Sequence, residues 1–294
     1  MPASAWWQTA AGVFAGGALA FATDTALGSA IFTTLPAKTG LITSELSMNF
    51  LQPATPASID IVSRGTLIHA GRRQGLSEAR IEDASGQLLA HATSRCVIQP
   101  LPFDPPEPPA SFVTASETPY REPDPYLREP EGAVLPRDVW DTTAGLDLVR
   151  MWQREELPMP PICRLAGWKI DEADEGTATC IMPASQWFCT GFGAFYGGAI
   201  AMLADGAMTL AVTTTIPAGT SFGTLDLKVN FLRPVTPDGR DLIARASVVH
   251  RGRTITVATA SIDDANGKRV AMATGSAMTL AGHSWASAQI DPSD

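Results

Sequence analysis

The sequence contains few of the residues on which metal sites, redox sites and disulfide frameworks are built. Its 294 residues include four histidines and four cysteines, and the cysteines form neither a CxxC pair nor a cluster with histidine. Because zinc sites and redox motifs need such spacings, we expect neither a metal nor a cofactor, and we expect free thiols in a reducing cytoplasm. The cysteines are Cys96, Cys163, Cys180 and Cys189.

Basic residues are also scarce. The chain carries 21 lysines and arginines against 30 acidic residues, which gives a formal net charge of −9 and a pI of about 4.9. This balance excludes the basic surface that nucleic acids and anionic membranes attract. The first basic residue is Lys38, so the apolar N-terminal run lacks the charged start of a signal peptide. A second apolar run, 199–217, contains Asp205 and is expected to be a helix buried in protein rather than lipid.

The sequence also lacks a phosphate-binding loop, a dinucleotide fingerprint and a nucleophile elbow. His69 and His250 each precede a turn containing glycine and arginine. Without a nucleophile elbow, these histidines are interpreted as structural residues at strand ends. A Ser/His/Asp hydrolase mechanism therefore has no support in the sequence.

What the sequence does contain is an internal duplication. Residues 1–97 align without a gap onto residues 182–278, and 41 of the 97 aligned pairs are identical. The offset is constant: it relates Asp24 to Asp205, because 205 − 24 = 181. A repeat of this length and identity indicates two copies of one domain.

The repeat sets the expected domain boundaries. We place a first copy at 1–97, a linker at 98–141, a second copy at 142–281 and a C-terminal tail at 282–294. The linker holds eleven prolines, and nine acidic residues against three arginines, so we interpret it as an extended, solvated spacer. Before its aligned part the second copy has a helical stretch, 143–157, and a strand-like stretch, 168–182. The first copy is therefore expected to lack its opening strand.

The order of elements can be read within the second copy. Gly197-Gly198 begins a run of good helix formers that ends at Pro217, which predicts a long helix. Apolar and polar residues alternate over 224–231, a pattern typical of a strand with one buried face. Three more strand-like runs follow, at 241–249, 254–263 and 269–280. A strand, a long helix and four antiparallel strands make a stable α+β domain if the sheet wraps the helix.

This order and two motifs resemble the hotdog-fold acyl-CoA thioesterases, especially the phenylacetic-acid-pathway and 4-hydroxybenzoyl-CoA types. The first motif, Gly-Gly with an Asp seven residues further on, occurs at Gly16-Gly17 with Asp24 and at Gly197-Gly198 with Asp205. The second is a strand that begins at Thr43 or Thr224 and ends in Asn-Phe-Leu-x-Pro. The resemblance implies the α+β class, with two hotdog domains in tandem that form a pseudo-dimer. It also implies acyl-CoA as the substrate.

Helix geometry limits where such a site can form. Seven residues span about 10 Å along a helix axis, so one substrate carbonyl cannot touch both Gly198 and Asp205. Two antiparallel helices would remove the difficulty, because the Asp of one copy would then face the Gly-Gly of the other. We therefore expect two sites: Asp24 with Gly197 and Gly198, and Asp205 with Gly16 and Gly17. In each site the carboxylate would be the general base or nucleophile, and helix N-terminal N–H groups would form the oxyanion hole.

Two further pairs complete the expected site. Thr43 and Thr224 stand where the resembled enzymes carry a Ser or Thr that orients water or the carboxylate. Those enzymes commonly have His before Gly-Gly, whereas this chain has Ala15 and Tyr196. Tyr196 is therefore a candidate substrate-binding residue at one site only.

Two pairs of surface residues also repeat. Arg72 and Arg253 follow the turn glycines and are candidates for binding CoA phosphates, although exposed turn arginines are commonly just solvated. Trp6 and Trp187 precede the helices and could wall an acyl pocket, although packing is the plainer account.

The sequence thus predicts hydrolysis of acyl-CoA thioesters to a free acid and CoA. The alternative is a non-catalytic acyl-CoA binding or sensing module, which the missing family histidine favours and the two aspartates oppose. A hotdog-type dehydratase or hydratase is a third possibility, but the Asp/His motif of those enzymes is not found. No nucleic-acid or membrane partner is expected, and assembly of such units into a homo-oligomer stays open.

Overall fold

The computed structural model describes residues 1–101, 128–191 and 193–280. In the first copy one long helix is followed by four strands. These elements are α1 (Gly16–Phe32), β1 (Thr39–Phe50), β2 (Ile61–Ala70), β3 (Gln74–Asp83) and β4 (Leu88–Pro100).

The second copy repeats this plan after three short helices and two short strands. The preceding elements are α2 (Arg137–Thr142), α3 (Gly145–Gln153), α4 (Pro161–Ala166), β5 (Lys169–Asp174) and β6 (Thr177–Pro183). The repeated elements are α5 (Gly197–Thr213), β7 (Ser221–Phe231), β8 (Asp241–Arg251), β9 (Ile255–Asp263) and β10 (Arg269–Leu280). The predicted α+β class with two tandem domains is confirmed.

One antiparallel sheet of ten strands joins the copies, in the order β2-β3-β4-β1-β7-β10-β9-β8-β6-β5. The copies meet where β1 pairs with β7, from Glu45 opposite Asn230 to Asn49 opposite Asp226. In the middle of this ladder Ser47 lies opposite Lys228, which is its own counterpart because 47 + 181 = 228. A pseudo-twofold axis therefore passes through this pair.

Helix α5 is almost entirely buried, whereas α1 buries one side and leaves Thr25, Ser29 and Phe32 exposed. Both consist mainly of Ala, Gly, Leu, Ile and Met, and most of the 17 residues of α5 are buried. A helix that is apolar all round must be covered on all sides, and the curved sheet supplies that cover. Side chains of both copies merge in one core, to which Leu27 and Leu46 of the first copy and Leu203 and Val229 of the second belong.

Glycines allow α1 and α5 to cross in direct contact. A Cβ on Gly17 would lie 2.5 Å from the Cα of Met202, and a Cβ on Gly198 would lie 2.8 Å from the Cα of Phe21. Neither neighbour is a flexible side-chain end that could move aside. The second glycine of each pair, Gly17 or Gly198, is therefore required by packing, independently of any chemistry.

The strand expected at 168–182 is wrong in detail, because the structure has a hairpin there. Strands β5 and β6 pair antiparallel and are joined by Glu175-Gly176, where Gly176 adopts a φ of 76°. A left-handed glycine reverses the chain, which the reading of one continuous strand overlooked. The helix expected at 143–157 is shorter, ending at Gln153.

Regular elements reach into both ends of the expected linker, 98–141. Strand β4 continues to Pro100, and α2 begins directly after Pro136, a place where proline is tolerated. Leu135 and Trp140 are buried, with 6% and 7% of their surfaces exposed. The end of the linker is therefore part of the packed structure, whereas the rest of it, 102–127, and the tail from 281 lie outside the described residues.

None of the helices in the described ranges is long and apolar enough to cross a membrane.

Substituting Gly17 by Ala should destabilise the protein by about 1–3 kcal/mol, because the added methyl group overlaps the backbone of α5. The matched control is Gly28→Ala in the same helix, where the new Cβ would lie 3.7 Å from Leu41 and a small gain in helix propensity is expected. Urea unfolding of both variants measures the difference. Equal effects of the two substitutions would contradict the tight crossing.

Candidate active site

Helices α1 and α5 run antiparallel, and each carries an aspartate that meets the N-terminus of the other. The N–H of Gly198 donates to Asp24 Oδ2 over 2.9 Å. The N–H of Gly17 donates to Asp205 Oδ2 over 2.8 Å. The structure thus brings together the aspartates and glycines that the sequence singled out. In each pair the aspartate belongs to one copy and the glycine to the other.

Both carboxylates are buried, with 5% of Asp24 and 3% of Asp205 exposed. Desolvation by burial raises the pKa of each to about 6, against an ordinary value of 3.8. The hydrogen bonds from Thr43 and Gly198 oppose this rise in the pKa of Asp24, and the bond from Gly17 opposes it in the pKa of Asp205. The two acids are therefore poised to change ionisation just below neutral pH.

The two threonines are not equivalent. Thr43 donates its hydroxyl hydrogen to Asp24 Oδ1 over 3.1 Å, from a point in β1 where its pairing with β4 shifts register. Thr224 occupies the counterpart position in β7, but among the described residues no hydrogen bond joins it to Asp205. Only the Asp24 carboxylate is held on both oxygens.

Tyr196 distinguishes the Asp24 site further. Its hydroxyl donates to the carbonyl oxygen of Phe21 over 3.1 Å and forms a short hydrogen bond with the Thr25 hydroxyl. Its ring packs edge-on against Phe21, with ring centroids 5.0 Å apart. Burial, followed by the nearby charge of Asp24, raises the pKa of Tyr196. The tyrosine therefore stays protonated and ties the start of α5 to the middle of α1.

A cavity of about 850 Å³ opens beside Asp24. Asp24, Thr43 and Gly197 lie in its wall together with Tyr196. Most of the remaining wall is apolar, including Phe21, Ile42, Trp187, Phe188, Ile200 and Phe231. Trp187, proposed from the sequence as a pocket wall, thus lines this cavity, whereas its counterpart Trp6 does not.

The arginines expected to bind phosphates do not line the cavity. Arg72 and Arg253 are exposed in turns. Arg233 lines the cavity instead and is also exposed. Sequence reasoning missed it, although it stands inside the Leu-Arg-Pro end of the second motif, which marked its strand as part of the site.

Residues that could bind a metal ion are not clustered in the described part of the chain. Among residues 1–101, 128–191 and 193–280 no group of three or more His, Cys, Asp or Glu side chains could hold a metal ion. The described cysteines are all free, and Cys96, Cys163 and Cys180 are buried. Burial raises the pKa of Cys96 to about 11 and that of Cys180 to about 12, so these thiols stay protonated.

Comparison with known proteins adds to this geometry. A family model described as the thioesterase superfamily matches the chain twice, over residues 11–90 and 192–271. A candidate esterase of Halobacterium salinarum is 36% identical over 101 residues, which are 33% of this chain and 65% of that protein. The chain thus spans slightly less than two thirds of the length of this curated relative.

Solved structures are also similar to this chain. A phenylacetic acid degradation-related protein of Ralstonia eutropha is 30% identical, with 44% of this chain and 98% of that chain covered and a TM-score of 0.41. A tesB protein of Mycobacterium avium subsp. paratuberculosis is 12% identical, with 92% of this chain and 89% of that chain covered and a TM-score of 0.56. The second likeness extends the fold over both copies.

The raised pKa values predict how stability depends on pH. Between 3.8 and about 6 the folded state holds protons that the unfolded state has released, so the free energy of unfolding should fall as pH rises through this window. The fall should be up to about 3 kcal/mol per carboxylate, because two pKa units correspond to about that free energy. The double variant Asp24→Asn, Asp205→Asn should lack this component.

Urea unfolding between pH 4 and pH 7.5 measures the effect. Asp171→Asn, at an exposed position of β5, controls for the substitution itself. If wild type and double variant show parallel pH dependence, the carboxylates do not have raised pKa values.

Proposed function

The chain belongs to the thioesterase superfamily, and from that premise we propose that it hydrolyses acyl-CoA thioesters to a free acid and CoA. The observation that carries the proposal is the Asp24 carboxylate, held by Gly198 and Thr43 at the wall of a largely apolar cavity. Thioester hydrolysis needs a base or nucleophile, donors for the oxyanion and an apolar place for the acyl group, and residues suited to each are present at this site.

Asp24 acts in one of two ways. As a general base, the carboxylate takes a proton from water while the water oxygen adds to the thioester carbonyl carbon. The C–S bond then breaks, and the proton passes from Asp24 to the sulfur of CoA. As a nucleophile, a carboxylate oxygen attacks the same carbon, CoA leaves, and water hydrolyses the resulting anhydride.

Helix α5 provides for the negative charge that develops on the carbonyl oxygen. Gly198 already donates its N–H to Asp24. Gly197 lies beside it in the cavity wall, and its N–H has no acceptor within the part of the chain that the structure describes. The partial positive charge of a helix N-terminus adds to such a donor. In our proposal the substrate carbonyl therefore points at the N–H of Gly197.

The two parts of the substrate, the acyl group and CoA, lie against different side chains of the cavity. The acyl group lies against the apolar wall near Phe21 and Ile200. The CoA part runs outward past Arg233, whose exposed guanidinium replaces Arg72 and Arg253 as the proposed partner of a phosphate. Tyr196 positions the start of α5 rather than supplying a proton, since its pKa is raised. Three buried free thiols support a reducing compartment such as the cytoplasm for this activity.

Removing both carboxylates should abolish most of the activity. For Asp24→Asn, Asp205→Asn we expect kcat to fall by about 10²–10⁴-fold, the usual contribution of a positioned acid–base group. Thiol release from a panel of acyl-CoAs measures it, and circular dichroism verifies folding. Activity equal to wild type in the folded double variant would rule out the carboxylate mechanism. Tight binding of acyl-CoA by the wild type without any turnover would favour a binding or sensing module.

The pH dependence of kcat/KM should follow the ionisation of Asp24. Because the carboxylate must be ionised to act, kcat/KM should fall about tenfold per pH unit below pH 6 and level off above pH 7. Thr43→Val removes a hydrogen bond that lowers the pKa of Asp24, so the midpoint should move to higher pH. Thr224→Val makes the same change in β7, where the midpoint should move less. A profile that Thr43→Val leaves in place would contradict the role of the Thr43 hydroxyl.

A further inference from the structure

We propose that substrate reaches Asp24 but not Asp205, because the segment 128–144 closes the approach to the second carboxylate. The inference rests on the proposed function and deepens it. It starts from a comparison that the duplication makes available: residues around the Asp24 cavity that lie within the repeat have counterparts 181 positions away in the other copy.

On the Asp24 side none of the described residues closes the mouth of the cavity. Trp187 has 90% of its surface exposed, and Gly191 and Gly193 in the same loop are exposed as well. Phe32, on the last turn of α1, is 43% exposed and lines the cavity. These residues stand around the entrance through which a substrate can pass.

On the Asp205 side the counterpart loop is covered by the segment 128–144. Trp6, the counterpart of Trp187, donates its ring N–H to the carbonyl oxygen of Arg128 over 3.2 Å. The backbone N–H of Leu135 donates to the carbonyl oxygen of Ala10 over 2.8 Å. A Cβ on Gly12 would lie 3.3 Å from Val134 Cγ1. The segment therefore lies directly on the loop 6–12, whose counterparts Trp187, Gly191 and Gly193 are exposed at the other site.

This segment and the residue that follows it, Gly145, also contact the end of helix α5 and the chain just after it. The N–H of Gly219 donates to the carbonyl oxygen of Trp140 over 2.9 Å, and the N–H of Gly145 donates to that of Ile216 over 3.0 Å. A Cβ on Gly145 would lie 1.8 Å from the carbonyl oxygen of Thr213, so the chain touches the helix backbone there. Thr213, the counterpart of Phe32, is only 4% exposed.

Apolar side chains fill the space between these contacts. One buried cluster brings Leu135 and Trp140 together with Ala10, and Leu210 of α5 packs against it. Leu210 is the counterpart of Ser29, which is exposed and lines the open cavity. Protein therefore occupies the region that corresponds to cavity on the Asp24 side. The segment joins the two copies, so it serves one site and not both.

Asp205 has a structural reason to be present even without substrate. Helix α1 has Ala15 at its N-cap, and no side chain caps it. The carboxylate of Asp205 instead accepts the N–H of Gly17, one of the donors that the first turn of a helix leaves unpaired. Removing this acceptor would leave a buried N–H without a partner. Capping from the other copy thus accounts for this aspartate.

Two measurements test the inference on the full chain. Calorimetric titration with a non-hydrolysable thioether analogue of an acyl-CoA should give one binding site per chain, and Ser29→Trp, which fills the open cavity, should remove it. Kinetics should show that Asp24→Asn alone loses as much activity as the double variant, at least about 100-fold. Circular dichroism verifies folding of each variant.

Results that contradict the inference can be told apart from results that contradict the proposed function. Two binding sites per chain, binding that survives Ser29→Trp, or about half of the activity left in Asp24→Asn would overturn the inference. The last result also detects two equivalent sites that work in alternation, since Asp205 would then take over. Wild type that binds the analogue at one site but hydrolyses no thioester contradicts the proposed function alone. A chain that neither binds nor hydrolyses overturns both.

Discussion

Each copy of this protein depends on a hydrogen bond that only the other copy can provide. Asp24 and Asp205 are buried carboxylates, and the backbone N–H groups that hold them lie on the opposite helix. Separating the copies would leave a carboxylate and a helix N-terminus without partners, a costly state in a dry core. The shared core, the glycine crossing and the continuous sheet are all consistent with this mutual requirement.

Burial of the carboxylates lowers the stability of the folded state at neutral pH, and it also makes Asp24 a better base. A carboxylate in water has a pKa near 4 and is a weak base, whereas burial raises the pKa of Asp24 to about 6. A base whose pKa lies close to the working pH accepts a proton more readily and is still mostly ionised. The protein thus gives up part of its stability at neutral pH for a more effective base. In our proposal the apolar cavity beside Asp24 maintains this raised pKa, because it limits the number of water molecules near the carboxylate and holds the acyl group close to it.

Much of this arrangement could be predicted from the sequence, because the duplication presents each helix, strand and motif pattern twice. The helix from Gly197 and the alternating strand from Thr224 each had a second example, and helix periodicity implied that Asp205 must face Gly17 rather than Gly198.

What could not be predicted depended on context outside the repeat. The hairpin at Gly176 lies outside the repeat, so no second copy marked its turn, and its strand β6 pairs with β8. Proline content suggested that the linker was solvated, but composition does not reveal that Leu135 and Trp140 meet an apolar surface on another element. The difference between Thr43 and Thr224 likewise could not be predicted, because both are the same residue next to the same shift of strand register and only Thr43 is hydrogen-bonded to its aspartate among the described residues.

The ladder at the centre of the sheet shows what joining two copies makes possible. On a true twofold axis a residue faces itself, so a lysine at the position of Lys228 would oppose a second lysine across the strands, which is unfavourable. Here Ser47 stands opposite Lys228, and the ammonium group lies 3.9 Å from Glu45 Oε1. Once both halves are encoded in a single chain, a favourable charge can be introduced on one side of the axis without its repulsive mirror image. Residues at the axis are therefore free to become complementary to each other, a freedom denied to any assembly of identical subunits.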